Sequence, residues 1–167
     1  MRRVLIVYAT KSGCTKGVAG KIASTIARPG VKIKIAEATD APDPANYDAV
    51  LVGSGIRAGR WHEPARAWVV ANAETLKTKQ IAFFTVSILV TKGADKIAVV
   101  RRFTDALIAE TGVHPFDVGV FAGWNKPEHF SLVDRVAMRL MNAPRGDQRD
   151  WMAIEEWARA AGSIVAA

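Results

Sequence analysis

The feature that most constrains the fold is a series of apolar, β-branched runs too uniformly hydrophobic to have a wet face. Tyr47-Asp48-Ala49-Val50-Leu51-Val52-Gly53 is the clearest of them. A half-exposed strand alternates apolar and polar residues, whereas a strand covered by helices on both faces reads as one continuous apolar run. Similar runs occupy residues 3–8, 80–86 and 117–122, a further β-branched strand pattern falls at 31–36, and helical patterns lie between them at residues 13–27, 64–76, 94–111 and 151–164. Strand and helix patterns in alternation predict βαβ crossovers and a parallel sheet. The expectation is one α/β domain over residues 1–167, doubly wound, with five parallel strands. An irregular stretch at about 124–150, with an amphipathic helix near residues 131–142, reads as a helical insert after the fifth strand.

In a doubly wound sheet, ligands bind beyond the carboxyl ends of the strands. That rule nominates residues 10–15, 53–62, 85–92 and 122–128, each of which follows an expected strand. The first segment is Thr10-Lys11-Ser12-Gly13-Cys14-Thr15. A helix opening there presents unpaired N–H donors and about half a positive charge. Thr10, Ser12 and Thr15 add hydroxyls, Gly13 lets the backbone approach an anion, and Lys11 and Lys16 add positive potential. The segment is neither a Walker loop, which needs a GK[ST] ending, nor the G-x-G-x-x-G dinucleotide fingerprint. A ligand-free turn with Ser12 or Thr15 as helix cap uses the same residues. Cys14 is either a small helix-opening residue or a thiol activated by the helix start.

The second segment holds Gly53, Ser54, Gly55, Ile56, Arg57, Ala58, Gly59, Arg60, Trp61 and His62. Its glycines would let the backbone lie against a flat ring, and its arginines and Trp61 supply charge and stacking surface. Arg57 is the candidate for stabilising a reduced, anionic ring or a substrate carboxylate. His62 is the candidate proton donor or substrate-orienting group, and is equally a half-exposed residue at a helix start. Thr85, Val86, Ser87 and Ile88 offer small polar and apolar groups for a ring edge. Gly123 and Trp124 close the rim, with Trp124 a packing residue or a substrate wall.

Charge narrows the partners. The chain carries a formal net charge of +7, and its first 34 residues hold eight Lys or Arg and no Asp or Glu. Such an excess serves nucleic acid, anionic membranes or acidic small molecules. Nucleic acid is disfavoured, because no helix-turn-helix, zinc-ligand or aromatic RNA-binding signature accompanies the charge, and no metal site is expected. The single cysteine suits a reducing cytoplasm, and the early first strand leaves no room for a signal peptide. On the insert, Leu132, Val133, Val136, Leu140 and Met141 sit beside Arg135, Arg139 and Arg145. That pattern fits a helix lying on anionic lipid at the inner face of the membrane, a helix packed on its own domain, or a homodimer face.

The whole chain resembles the flavodoxin-like family of menaquinone-dependent protoporphyrinogen oxidases. The resemblance rests on Thr10-x-Ser12-Gly13-x-Thr15, on Gly53-Ser54-Gly55-Ile56-Arg57-Ala58-Gly59, on Asp134-Arg135, and on the late run Gly146-Asp147-Gln148-Arg149-Asp150-Trp151. It implies strand order 2-1-3-4-5 and an FMN phosphate site at residues 10–15, with the ring against residues 53–62 and 85–90. It also implies an oxidoreductase of haem biosynthesis that passes reducing equivalents from a porphyrinogen to a quinone. A flavodoxin-type electron carrier with a protein acceptor, and a flavin- or deazaflavin-binding protein with another redox substrate, remain alternatives.

Overall fold

Alternate residues of the first strand point into two different cores. In the computed structural model, which describes residues 1–165 and 167, β1 (Arg2–Ala9) sends Val4, Ile6 and Tyr8 to one side and Leu5, Val7 and Ala9 to the other, all buried. The first side is covered by α1 (Cys14–Ile26) and α6 (Trp151–Val165), through Val18, Ile22, Ile154 and Ala158. The second is covered by α2 (Glu63–Ala71) and α4 (Ala94–Thr111), through Trp68, Val69 and Leu107. Burial on both faces is why β1 lacks polar alternation, whereas the edge strand at residues 31–37 keeps it.

β2 (Val31–Glu37), β3 (Ala49–Arg57), β5 (Gln80–Val86) and β6 (Asp117–Phe121) complete the parallel sheet in the order β2-β1-β3-β5-β6. That is the expected order 2-1-3-4-5 once one short extra strand is numbered. The extra strand, β4 (Arg60–Trp61), pairs antiparallel with the end of β3. Residues 53–57, expected as loop, therefore continue β3. The two-residue turn Ala58-Gly59 has φ of 49° and 72°, the doubly positive backbone of a tight hairpin, which explains Gly59 without a ligand. The expected helix at 64–76 divides into α2 and a short α3 (Ala73–Leu76).

The insert has an ordered base. β7 (Trp124–Asn125) and β8 (Gly146–Asp147) form a two-stranded ribbon, with Trp124 opposite Asp147. Between them runs α5 (Leu132–Leu140), capped by Ser131, whose hydroxyl accepts the Asp134 amide. Among the described residues no helix is long and apolar enough to cross a membrane.

Candidate functional site

The reversal of winding direction between β1 and β3 opens a crevice at their carboxyl ends. The loop after β1 forms its floor. Gly13 stands at the N-cap of α1 with φ 86°, and no side chain caps the helix. Thr10 Oγ1 instead accepts the Gly13 amide at 3.0 Å, folding the loop back on itself. Neither Ser12 nor Thr15 acts as the cap. The first-turn amides of α1 thus have no intrahelical acceptor and no side-chain cap.

A cavity of about 260 Å³ lies over this loop. Thr10, Lys11, Ser12, Cys14 and Thr15 line one side; Gly55, Ile56, Arg57, Ala58, Gly59 and His62 line another. Val86, Ser87, Ile88, Gly123 and Trp124 complete the part read from sequence. Three expected residues lie behind the wall. Trp61 is 2% exposed, stands edge-on to Phe83 and donates to Thr104 Oγ1 at 3.1 Å, so it belongs to the core and not to a ring-stacking surface. Alternation along β4 turns it inward. Thr85 is buried and donates to the Gly119 carbonyl. Ser54 is buried too, and its Oγ accepts the His62 amide at 2.9 Å, which positions the histidine backbone. Gly13 shapes the loop without lining the cavity.

Gly55 has a specific reason. A Cβ there would come within 2.6 Å of His62 Nε2, so the missing side chain is the seat of the imidazole. Burial, and secondarily the Arg57 charge, holds the His62 pKa below its ordinary value, while Asp134 opposes the shift. His62 is therefore neutral at neutral pH. The Cys14 thiol is pushed up to about 11, chiefly by burial. The helix-start activation weighed from sequence is overridden, and Cys14 is a neutral wall residue.

The insert supplies a wall that the strand-end rule did not name. Phe130, Asp134, Ala137, Met138 and Met141 face the same cavity. Positions 134, 137, 138 and 141 share one helical stripe, and that spacing was the available signal. Asp134 Oδ1 pairs with Arg57 at 2.9 Å, so Arg57 is not a bare cation. Trp124 joins the insert to the floor. Its Nε1–H donates to Ser12 Oγ at 2.9 Å, and its ring stacks on His129. Arg149, nearly buried, lies between the rings of Trp124 and Trp151 at 4.5 and 4.3 Å. It also donates to both Asp147 oxygens and to the Cys14 carbonyl. The late run singled out in the sequence is thus the tie between insert and loop. Gly17 is needed because a side chain there would occupy the Arg149 guanidinium.

Sheet order, crevice and uncapped loop define a doubly wound α/β protein with an uncapped helix start at its switch point. The chain belongs to the flavodoxin domain family, whose model matches residues 5–151. Among curated proteins it is similar to protoporphyrinogen IX dehydrogenase [quinone] of Escherichia coli (strain K12), at 24% identity over 150 residues, covering 89% of this chain and 83% of the relative. It is similar to the Leishmania major protein of the same name at 26% identity over 168 residues, covering 93% and 73%. Among solved structures, oxidised flavodoxin 1 from Bacillus cereus superposes with a TM-score of 0.60 at 14% identity, covering 97% of each chain. Fusobacterium nucleatum flavodoxin bound to flavin mononucleotide gives 0.55 at 12% identity, covering 98% of this chain and 99% of the other. At those identities the structures establish the fold.

Proposed function

We propose that the chain is a flavin-dependent oxidoreductase that holds FMN over residues 10–15 and passes reducing equivalents from a porphyrinogen to a quinone. The observation that carries the enzyme reading is the shared wall: insert side chains and phosphate-loop side chains line one cavity. An electron carrier presents a ring edge to a protein partner, whereas a walled cavity suits a small substrate. The names of the two curated relatives support the choice of porphyrinogen and quinone, and with them a place in haem biosynthesis.

The residues fit FMN. The uncapped α1 amides with Thr10, Ser12 and Thr15 would hold the phosphate, and Ile56, Val86, Ile88 and Leu89 offer an apolar bed for the ring. FMN bound there would supply a two-electron redox ring. Each cycle removes two electrons and two protons from the porphyrinogen and delivers them to the quinone, which leaves as quinol. Arg57 would stabilise negative charge at the ring or a substrate carboxylate, to the extent that Asp134 releases it. His62, kept neutral, can take up a proton on an imidazole nitrogen. Trp124 and Phe130 would bound the substrate side.

The outer stripe of α5 fits this reading. Leu132, Val133, Val136 and Leu140 are 77%, 71%, 55% and 83% exposed. Contact of this stripe with the inner membrane surface would bring a lipid-soluble quinone to the cavity. Flotation with phosphatidylglycerol vesicles, lost in Leu132→Lys/Leu140→Lys, is the expected result. A concentration-dependent dimer abolished by the same changes would assign the stripe to a second copy instead.

The deciding experiment is purification without added cofactor and mass identification of what co-elutes, followed by anaerobic porphyrinogen oxidation with menadione. FMN and turnover are expected, while a deazaflavin would redirect the cofactor assignment. Two well-separated one-electron potentials without turnover would establish a carrier.

A further inference from the structure

A second concavity adjoins the first. A cleft of about 430 Å³ between α5 and the ribbon is lined by Asn125, Pro127, Met138 and three arginines, Arg135, Arg139 and Arg145, with no carboxylate among its lining residues. Met138 also lines the cofactor cavity, so the two spaces meet at this side chain. Arg135 is anchored by its Nε–H to the carbonyls of Pro127 and Phe130, at 2.8 and 3.2 Å, which aims the rest of its guanidinium without consuming it. Among the described residues, Arg139 and Arg145 have no ion-pair partner, although ion pairs occur elsewhere on this surface.

Three like charges held around one cleft repel one another, and an anion between them relieves that repulsion. All three are arginine, whose planar fork accepts a carboxylate in two-point geometry that lysine cannot offer. A flat lipid surface has no use for a concave site sharing a wall with a redox cavity. We infer that the Arg135–Arg139–Arg145 cleft is a carboxylate-binding subsite. It takes the acidic arms of a ring substrate whose oxidisable part enters the adjoining cavity past Met138. The inference rests on the oxidoreductase reading above and adds to it the part of the substrate that is recognised.

The test uses FMN-loaded protein with protoporphyrin IX as the diacid probe and its dimethyl ester as the uncharged one. Wild type should bind the diacid on the order of tenfold more tightly than the ester, the scale of one or two charged hydrogen bonds. Arg139→Gln/Arg145→Gln should lose that preference, bind the ester as before, and retain wild-type FMN affinity. Equal binding of diacid and ester by wild type, or unchanged diacid binding by the double variant, overturns the subsite. So does loss of phosphatidylglycerol vesicle binding in the double variant with its diacid affinity intact, which assigns the arginines to lipid headgroups. Turnover separates the two levels of inference. Wild type that binds FMN but oxidises no porphyrinogen refutes the functional reading, whereas wild-type turnover with an unaltered KM in the double variant refutes the subsite alone.

Discussion

The cavity wall formed by residues 10–15 is carried on a loop anchored in the core, whereas the insert wall is side chains carried on a helix that buries none of its residues. On the loop side, Thr15 is 1% exposed and Val18 and Ile22 fully buried, so the loop geometry is held by the same packing that holds the sheet. On the insert side, α5 is attached through Arg57–Asp134, through Arg135 on two carbonyls, and through Lys92 and Asn125 on the carbonyls of Asn142 and Ala143. A scaffold built the first way retains its ligand site as surface residues change. A wall built the second way can be altered without unfolding the domain, and that is where specificity for a substrate can be set.

The sharpest break of this contrast is at Gly13. A β-branched residue at φ 86° is strained, and relief must move the loop. Gly13→Val should weaken FMN binding about 100-fold, from roughly 2–3 kcal/mol of strain and lost amide contacts, while circular dichroism shows a folded domain. Unchanged FMN affinity in a fluorescence titration would refute the assignment of the loop. Next comes the tie between the two walls. Arg149→Met leaves Asp147 without its partner and removes the cation between two tryptophans, and should cost about 1–2 kcal/mol in urea unfolding and loosen FMN binding as well. Stability loss with no change in FMN affinity would show that the tie does not reach the loop.

Asp134→Asn tests the insert wall alone. The pair is partly exposed, so stability should fall by no more than about 1 kcal/mol. Freed of its counter-ion, Arg57 should raise the flavin midpoint potential by on the order of 10–20 mV, the two-electron equivalent of about 0.5–1 kcal/mol. A lowered potential would contradict the placement of Arg57 beside the ring. The smallest effect concerns His62. Its folded pKa lies below the ordinary value of about 6.5, so the unfolded chain binds the proton first as pH falls. Stability is therefore lost through His62 below about pH 6.5, and His62→Gln lacks that component. Urea unfolding of both proteins at about pH 7.5 and about pH 5.5 should show the wild type losing more than the variant. Parallel losses would place the imidazole in solvent.

Most of the scaffold was legible in the chain because strand burial on two faces leaves a composition signal that needs no tertiary information. The loop Thr10–Thr15 was legible as a helix-opening loop for a different reason, since residue type and position after a strand define it. Errors came where periodicity gives way to packing. Residues 53–57 carry two glycines and a serine, so they read as loop, yet they pair on with β5 and β4. Gly55 does line the cavity, and what the sequence did not reveal is that the space beside its Cα also seats the His62 imidazole. Trp61 reads as stacking surface, and alternation along a two-residue strand buries it against Phe83.

By itself the sequence determined the layering, the sheet order through its resemblance, and the place of the loop that opens α1, all consequences of local pattern and chain order. Only the tertiary structure decided that the insert folds back to become a wall of the same cavity, that Arg57 meets Asp134 and that Arg149 clamps the ribbon to the loop. It also decided that three arginines share one cleft. Those contacts join residues far apart in the chain, and no local periodicity encodes which side of a solvent-exposed helix will turn toward a distant loop. That choice is made by the few side chains that find partners there.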